Sequence, residues 1–252
     1  MTLSRKGQVI VAADSEELSR IAAERLLARV TAAQNSAAVC LTGGSSPEGL
    51  YRRLASAPYR SRLPWDRVHW FMGDDRFVPL AHELGNMGMA RRLFLDRVPV
   101  AAHHVHPIPT DAGSPDAAAR SYEAELKQLY GRDHLNPAHP LFDLVLMGLG
   151  DDGHTASLFP HAPALGEAER WVIGVPQAGL APFVPRVTLT FPALASTREM
   201  LFLVTGADKR EILARVFSGE DLPASRARAQ GELVWLVDRA AGEENGHASA
   251  IG

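Results

Sequence analysis

Residues 143–154 read Asp-Leu-Val-Leu-Met-Gly-Leu-Gly-Asp-Asp-Gly-His, a short apolar run that breaks into a glycine-rich polar loop. The run 144–147 has no polar face, as expected of a strand whose two sides are both covered by helices in a parallel sheet. Working outward, similar runs recur at 8–12, 38–41, 68–72, 171–175, 187–191, 201–204 and 233–237. Stretches of helical period lie between them. Asp14 or Ser15 can cap a helix carrying Leu18, Ile21, Ala22, Leu26 and Val30 on one stripe. Ser114-Pro115-Asp116 opens another, with Tyr122, Leu126, Leu129 and Tyr130 at helical spacing. Asp208 can cap a third, bearing Ile212, Leu213, Val216 and Phe217 and stopped by Gly219. The alternation predicts an α/β fold, a mostly parallel, doubly wound sheet with helices on both faces. Residues 1–241 are expected to form one domain and 242–252 a loose tail.

Composition narrows the function classes. The 252 residues are 46% hydrophobic and 22% charged, which excludes wholesale disorder. A net charge of −3 gives no support to a nucleic-acid partner. No apolar run approaches the ~18 residues that span a bilayer, and the N-terminus lacks a signal-peptide pattern, so the expectation is a cytoplasmic protein without a membrane partner. Cys40 is the only cysteine, which excludes an internal disulfide and a cysteine-rich zinc site. Lysine is scarce, with Lys6, Lys127 and Lys209 alone among 26 basic residues.

In open parallel sheets, ligands gather beyond the carboxyl ends of the strands, and four polar clusters follow predicted strands here. Thr42-Gly-Gly-Ser-Ser-Pro47 is a glycine loop opening a helix, with a serine as expected N-cap; its backbone amides suit a phosphate or carboxylate. It is also a common βα turn composition, and no Gly-Lys-Ser/Thr follows to make a P-loop. Gly73-Asp74-Asp75-Arg76 concentrates charge, as either a structural ion pair or an arginine available to an oxyanion. Gly148-Leu-Gly-Asp-Asp-Gly153 matches G-x-G-x-x-G, but Asp151 and Asp152 stand where a pyrophosphate needs bare amides, and the next strand ends without an acidic residue. Asp152 and His154, flanking a glycine, instead suit a general base and the carboxylate that orients it, with a capping Asp beside an exposed His as the plain alternative. Gly206-Ala-Asp-Lys209 is the fourth cluster. Arg186 precedes its strand, but 176–185 has no helical pattern and reads as a hairpin-like connection. That makes 187–191 antiparallel to 171–175 and returns Arg186 to the same rim, where it and Lys209 can hold a phosphate.

Other candidates are weaker. His103, His104 and His106 lack metal-ligand partner spacing and read as loop polarity. Cys40, inside an apolar run, reads as a buried small hydrophobe. No G-x-S-x-G elbow is present, against an acyl-enzyme serine hydrolase.

The stretch 143–160, ending Asp151-Asp-Gly-His-Thr-Ala-Ser-Leu-Phe-Pro160, resembles the signature of the 6-phosphogluconolactonases, within the glucosamine-6-phosphate isomerase/6-phosphogluconolactonase family. So do Gly73-Asp-Asp-Arg-Phe-Val-Pro79 with Asn86, Arg186-Val-Thr-Leu-Thr190, Leu203-Val-Thr-Gly-Ala-Asp-Lys209 and the closing segment 233–241. The chain departs at Asp75, where Glu is more usual, and at Gly85, where Ser is. The resemblance implies a Rossmann-like fold of the sugar-phosphate isomerase type and a cofactor-free, metal-free hydrolase of 6-phospho-D-glucono-1,5-lactone in the pentose phosphate pathway. It implies His154 as the base activating water, Asp152 as its support and Arg76 at the reacting end. Gly44, Ser45, Arg186 and Lys209 fall on the phosphate side, with Asp74 as a further substrate-binding candidate. The implied partner is the small sugar phosphate lactone, and the expected state a monomer or weak homo-oligomer.

Overall fold

The computed structural model describes residues 7–242, so the expected tail lies outside the described residues except for Gly242, which closes the last helix. The chain runs β1 (Gln8–Ala12), α1 (Ser15–Ala32), β2 (Ala37–Leu41), α2 (Glu48–Leu54), α3 (Tyr59–Arg62), β3 (Val68–Met72), β4 (Asp74–Arg76), α4 (Asn86–Leu93), β5 (Val105–His106) and α5 (Pro115–Tyr130). It continues through β6 (Leu144–Met147), β7 (Val172–Val175), β8 (Arg186–Leu189), α6 (Phe191–Ala195), β9 (Glu199–Val204), α7 (Arg210–Ser218), α8 (Pro223–Arg226), β10 (Glu232–Asp238) and α9 (Arg239–Gly242).

Seven strands form a parallel sheet in the order β1-β10-β9-β6-β2-β3-β5. Its central strands bury every or nearly every residue, which accounts for their unbroken apolar sequences. From β2 the chain winds outward through β3 and β5, then returns to β6 and winds the other way through β9 and β10. The topological switch point is therefore between β2 and β6, where the loops leaving neighbouring strands diverge and open a crevice.

The expected hairpin is present, in a sheet of its own. β7 and β8 pair antiparallel, and β8 pairs antiparallel with β4, giving the order β4-β8-β7. The chain passes from the large sheet to the small one at Gly73, whose amide still bonds Leu41 while its carbonyl already accepts from Leu189. The small sheet thus stands at the carboxyl ends of β2 and β3, over the crevice.

Caps follow the sequence in part. Asp14 and Ser114 accept from Glu17 and Ala117 at the starts of α1 and α5, and Gly219 ends α7 in the left-handed region. Asp208 does not cap α7. It lies in a 3-10 turn, 207–209, and Lys209 occupies the cap position without a side-chain capping bond. No serine caps α2 either, because Pro47, fixed at a helical φ, takes that place. The expected strand 187–191 stops at Leu189, since Pro192 in the first turn commits the next residues to α6. Leu129 and Phe217 fall outside their buried stripes and stay exposed. His104 and His106 are buried against the sheet edge, not solvated loop groups: His69 and His106 share a 2.9 Å ring contact, and His106 meets Glu125 of α5 at 2.6 Å. Cys40 is fully buried, as expected.

Candidate active site

A cavity of about 230 Å³ opens at the switch point. The four polar clusters and Arg186 meet there: Thr42–Ser46 after β2, Asp74 and Arg76 on β4, Gly148–Asp151 and His154 after β6, and Lys209 after β9 all line it. Asp152 lies just behind, touching His154.

The loop after β6 is wound to aim the imidazole inward. Its turn closes through Gly150 N–H to the His154 carbonyl and Gly153 N–H to the Gly150 carbonyl. The His154 ring lies so close over Gly150 that a Cβ there would come within 2.1 Å of its Cε1 and Nδ1, so only glycine fits. His154 Nδ1 contacts Asp152 Oδ1 at 2.5 Å, and the same oxygen accepts the His154 amide at 3.0 Å. With Nδ1–H donating to the carboxylate, Nε2 carries the free lone pair. Burial pushes the Asp152 carboxyl up, but the hydrogen bonds and charge of His154 outweigh it and hold the carboxyl below the usual range. Asp152 therefore stays ionised beside the ring, an arrangement that suits a general base.

The loop after β2 is held by Tyr51, whose hydroxyl donates to the Thr42 carbonyl and accepts from its amide. Gly44 and Ser45 stand exposed at the mouth. Gly43 is pressed against the Asn86 amide group, and a Cβ there would lie 2.1 Å from Asn86 Oδ1.

The small sheet supplies the cations. Arg76 and Arg186 are directly opposed partners on one antiparallel rung. Arg76 Nη1 donates to the Leu84 carbonyl at 2.6 Å and Arg186 Nη2 to the Pro182 carbonyl at 3.0 Å, yet the Nε of each is buried without a partner. Burial lowers the Arg186 pKa, Asp74 opposes this and Arg76 adds to it. Two like charges facing each other with unused donors suit an anion. Lys209 is ion-paired with Asp151, which is exposed at the rim.

The sequence missed several contributors. Ser157 donates to Asp74 Oδ2 at 2.6 Å and ties the 155–158 turn to the small sheet, and Leu180 lines the cavity from the β7–β8 connection. Neither carries a local signal, because each acts through partners far along the chain. Phe159 packs between His154, 4.7 Å between ring centroids, and the Arg186 guanidinium, 5.7 Å above its ring.

A model of the glucosamine-6-phosphate isomerases/6-phosphogluconolactonase family matches residues 13–235. The chain belongs to this family. Within it, the chain is similar to the 6-phosphogluconolactonase of Synechocystis, 40% identical over 86% of this chain and 88% of that one. It is also similar to that of Streptomyces coelicolor, 36% identical over 96% of both. Among solved structures it superposes on the 6-phosphogluconolactonase of Trypanosoma brucei with a TM-score of 0.78 and 30% identity, covering 96% of this chain and all of that one. Among the described residues no helix is long and apolar enough to cross a membrane.

Proposed function

We propose that this protein is a 6-phosphogluconolactonase, hydrolysing 6-phospho-D-glucono-1,5-lactone to 6-phosphogluconate. The observation that carries the reading is the Asp152–His154 pair facing the same small cavity as Arg76, Arg186 and Lys209. A lactone is an activated cyclic ester, so a base and an oxyanion partner suffice. Lys209, Arg186 and the amides and hydroxyl of Gly44–Ser45 grip the phosphate, with Asp74 holding substrate hydroxyls. His154 Nε2 takes a proton from water as the oxygen attacks C1. Arg76 stabilises the tetrahedral oxyanion. The C1–O5 bond then breaks, the ring oxygen takes the proton back from the imidazolium, and the chain opens.

The contact of Phe159 with both His154 and Arg186 favours a second arrangement, in which Arg186 serves the oxyanion and Arg76 the phosphate. A deaminase of the same family would carry Ile-Ala-Phe-Asn-Glu after the histidine. Here Thr155-Ala-Ser-Leu-Phe159 puts a buried phenyl ring at the position of that glutamate, which favours hydrolysis over isomerising amine chemistry. The same reading includes action as one domain over 1–241, in the cytoplasm, as a monomer or weak homo-oligomer, without cofactor or metal.

The test is lactone generated in situ, followed with chelator present. Wild type should consume it faster than spontaneous opening and release no ammonia from glucosamine 6-phosphate. His154→Ala should lower kcat by ~10²–10⁴-fold with KM little changed. A fully active His154→Ala variant removes the histidine from the mechanism.

A further inference from the structure

We propose that Asp75 is a positioning residue for this reaction, its buried carboxylate pinning the first turn of α4 to β4 and so fixing three walls of the cavity at once. The inference rests on the hydrolytic reading above. Asp75 does not line the cavity and is only 1% exposed. One carboxylate oxygen accepts the Arg76 amide at 2.8 Å and the Asn86 amide at 2.6 Å, and the other accepts the Met87 amide at 3.0 Å. Asn86 and Met87 open α4, where Gly85 sits at the cap position with no side chain to offer. Asp75 therefore does from a distant strand what an N-cap residue does locally.

The helix so held reaches the cavity from three directions. The Asn86 side chain donates to the Asp74 carbonyl at 2.9 Å and leans toward its carboxylate at 3.4 Å. It also presses on Gly43 in the anion loop. The loop that α4 anchors, 77–85, presents the Leu84 carbonyl that holds the Arg76 guanidinium. A shift of the α4 N-terminus moves Asp74, Gly43 and Arg76 together.

The carboxylate must be ionised to accept from all three amides. Burial pushes its pKa up to about 6, the Asp74 charge adds to this and the amides oppose it. The groups facing it are Asp74 and Arg76 on β4, Arg186 on β8 and the Tyr122 hydroxyl of α5, while α4 presents backbone amides. Below about pH 6 a proton on Asp75 turns one acceptor into a donor facing N–H groups, and the pin loosens.

The experiment measures kcat and KM against pH for the full chain and for Asp75→Asn and Asp75→Glu. Amide exchange protection factors at Asn86 and Met87 are measured alongside. On the acid side the wild-type kcat/KM should fall more steeply than that of Asp75→Asn, because Asp75 takes up a proton below about pH 6. Asp75→Asn should lower kcat/KM by about 10- to 100-fold at neutral pH, through KM as well as kcat, and leave a shallower acid limb. Asp75→Glu should restore the steeper limb. In wild type the protection of both amides should drop as pH falls through 6, whereas in Asp75→Asn it should be low throughout. Wild-type kinetics and an unchanged limb in Asp75→Asn overturn the proposal. If Asp75→Asn does not fold, pH-independent protection in wild type overturns it equally. A wild-type chain that leaves the lactone untouched refutes the hydrolytic reading, and the protection factors then judge the pin by themselves.

Discussion

The phosphate role proposed for Lys209 requires an exchange of partner, since the side chain is paired with Asp151. A charge-assisted hydrogen bond is worth ~1.5–3 kcal/mol, so Lys209→Ala should raise KM by about 10- to 100-fold with kcat nearly unchanged. Arg186→Ala should behave alike under the first arrangement, and steady-state kinetics would assign it to the reacting end if kcat fell instead. Gly150 bears on the proposed catalysis through the His154 ring packed against it. In Gly150→Ala the new Cβ forces the His154 ring off Asp152, and kcat should fall by roughly 10²-fold while the melting temperature stays near wild type. Lys209 could be nominated from sequence because a loop after an apolar run carries it, and Arg186 because the helix-free connection before its strand returns it to the same rim; Gly150 stood only within the G-x-G-x-x-G match. Asn86 and Ser157 stood within motifs that carry the family resemblance but drew no role of their own, and Leu180 was not singled out, because all three act through contacts made across the chain.

At the scale of elements, β1, β2, β3, β6, β9 and β10 of the large sheet were legible because their runs are largely apolar. β4 and β5 were not. They are three and two residues long and carry charged or imidazole side chains, so neither shows a period. The hairpin connection before Arg186 could be inferred from the missing helix, but not the separate sheet, which depends on the step at Gly73. One junction between elements is open to a direct stability test. Glu199 on β9, 1% exposed, accepts from Arg25 and Arg29 of α1, each at 2.5 Å, and both arginines also reach Glu232 of β10 at 2.9 Å. Removing one partner from a buried ion pair costs ~3–5 kcal/mol. The arginines here are about one-quarter exposed and keep Glu232, so Glu199→Ala should cost about 3 kcal/mol, the lower end, in urea unfolding.

For the molecule as a whole, acid acts at the edge of the large sheet as well as at Asp75. At the sheet edge, burial and the charges of His104, His106 and His103 pull the His69 pKa down from 6.5 to about 4. The unfolded chain therefore binds a proton between those values that the folded chain refuses, so stability is lost as pH falls from about 6.5 toward 4. Melting temperature should drop between pH 7 and pH 5, and His69→Gln should flatten that slope without altering kcat. The histidines near Pro107 drew no role from sequence, because the burial of His104 and His106 comes with contacts far along the chain, to the Trp65 carbonyl and to Glu125 of α5. At the cavity, the arginines of β4 and β8 share one rung although their strands are far apart along the chain. Positions 76 and 186 should consequently be inherited as a unit. A lineage that neutralises one should recharge or lose the other, and joint substitution among natural relatives would record the electrostatic bargain between them.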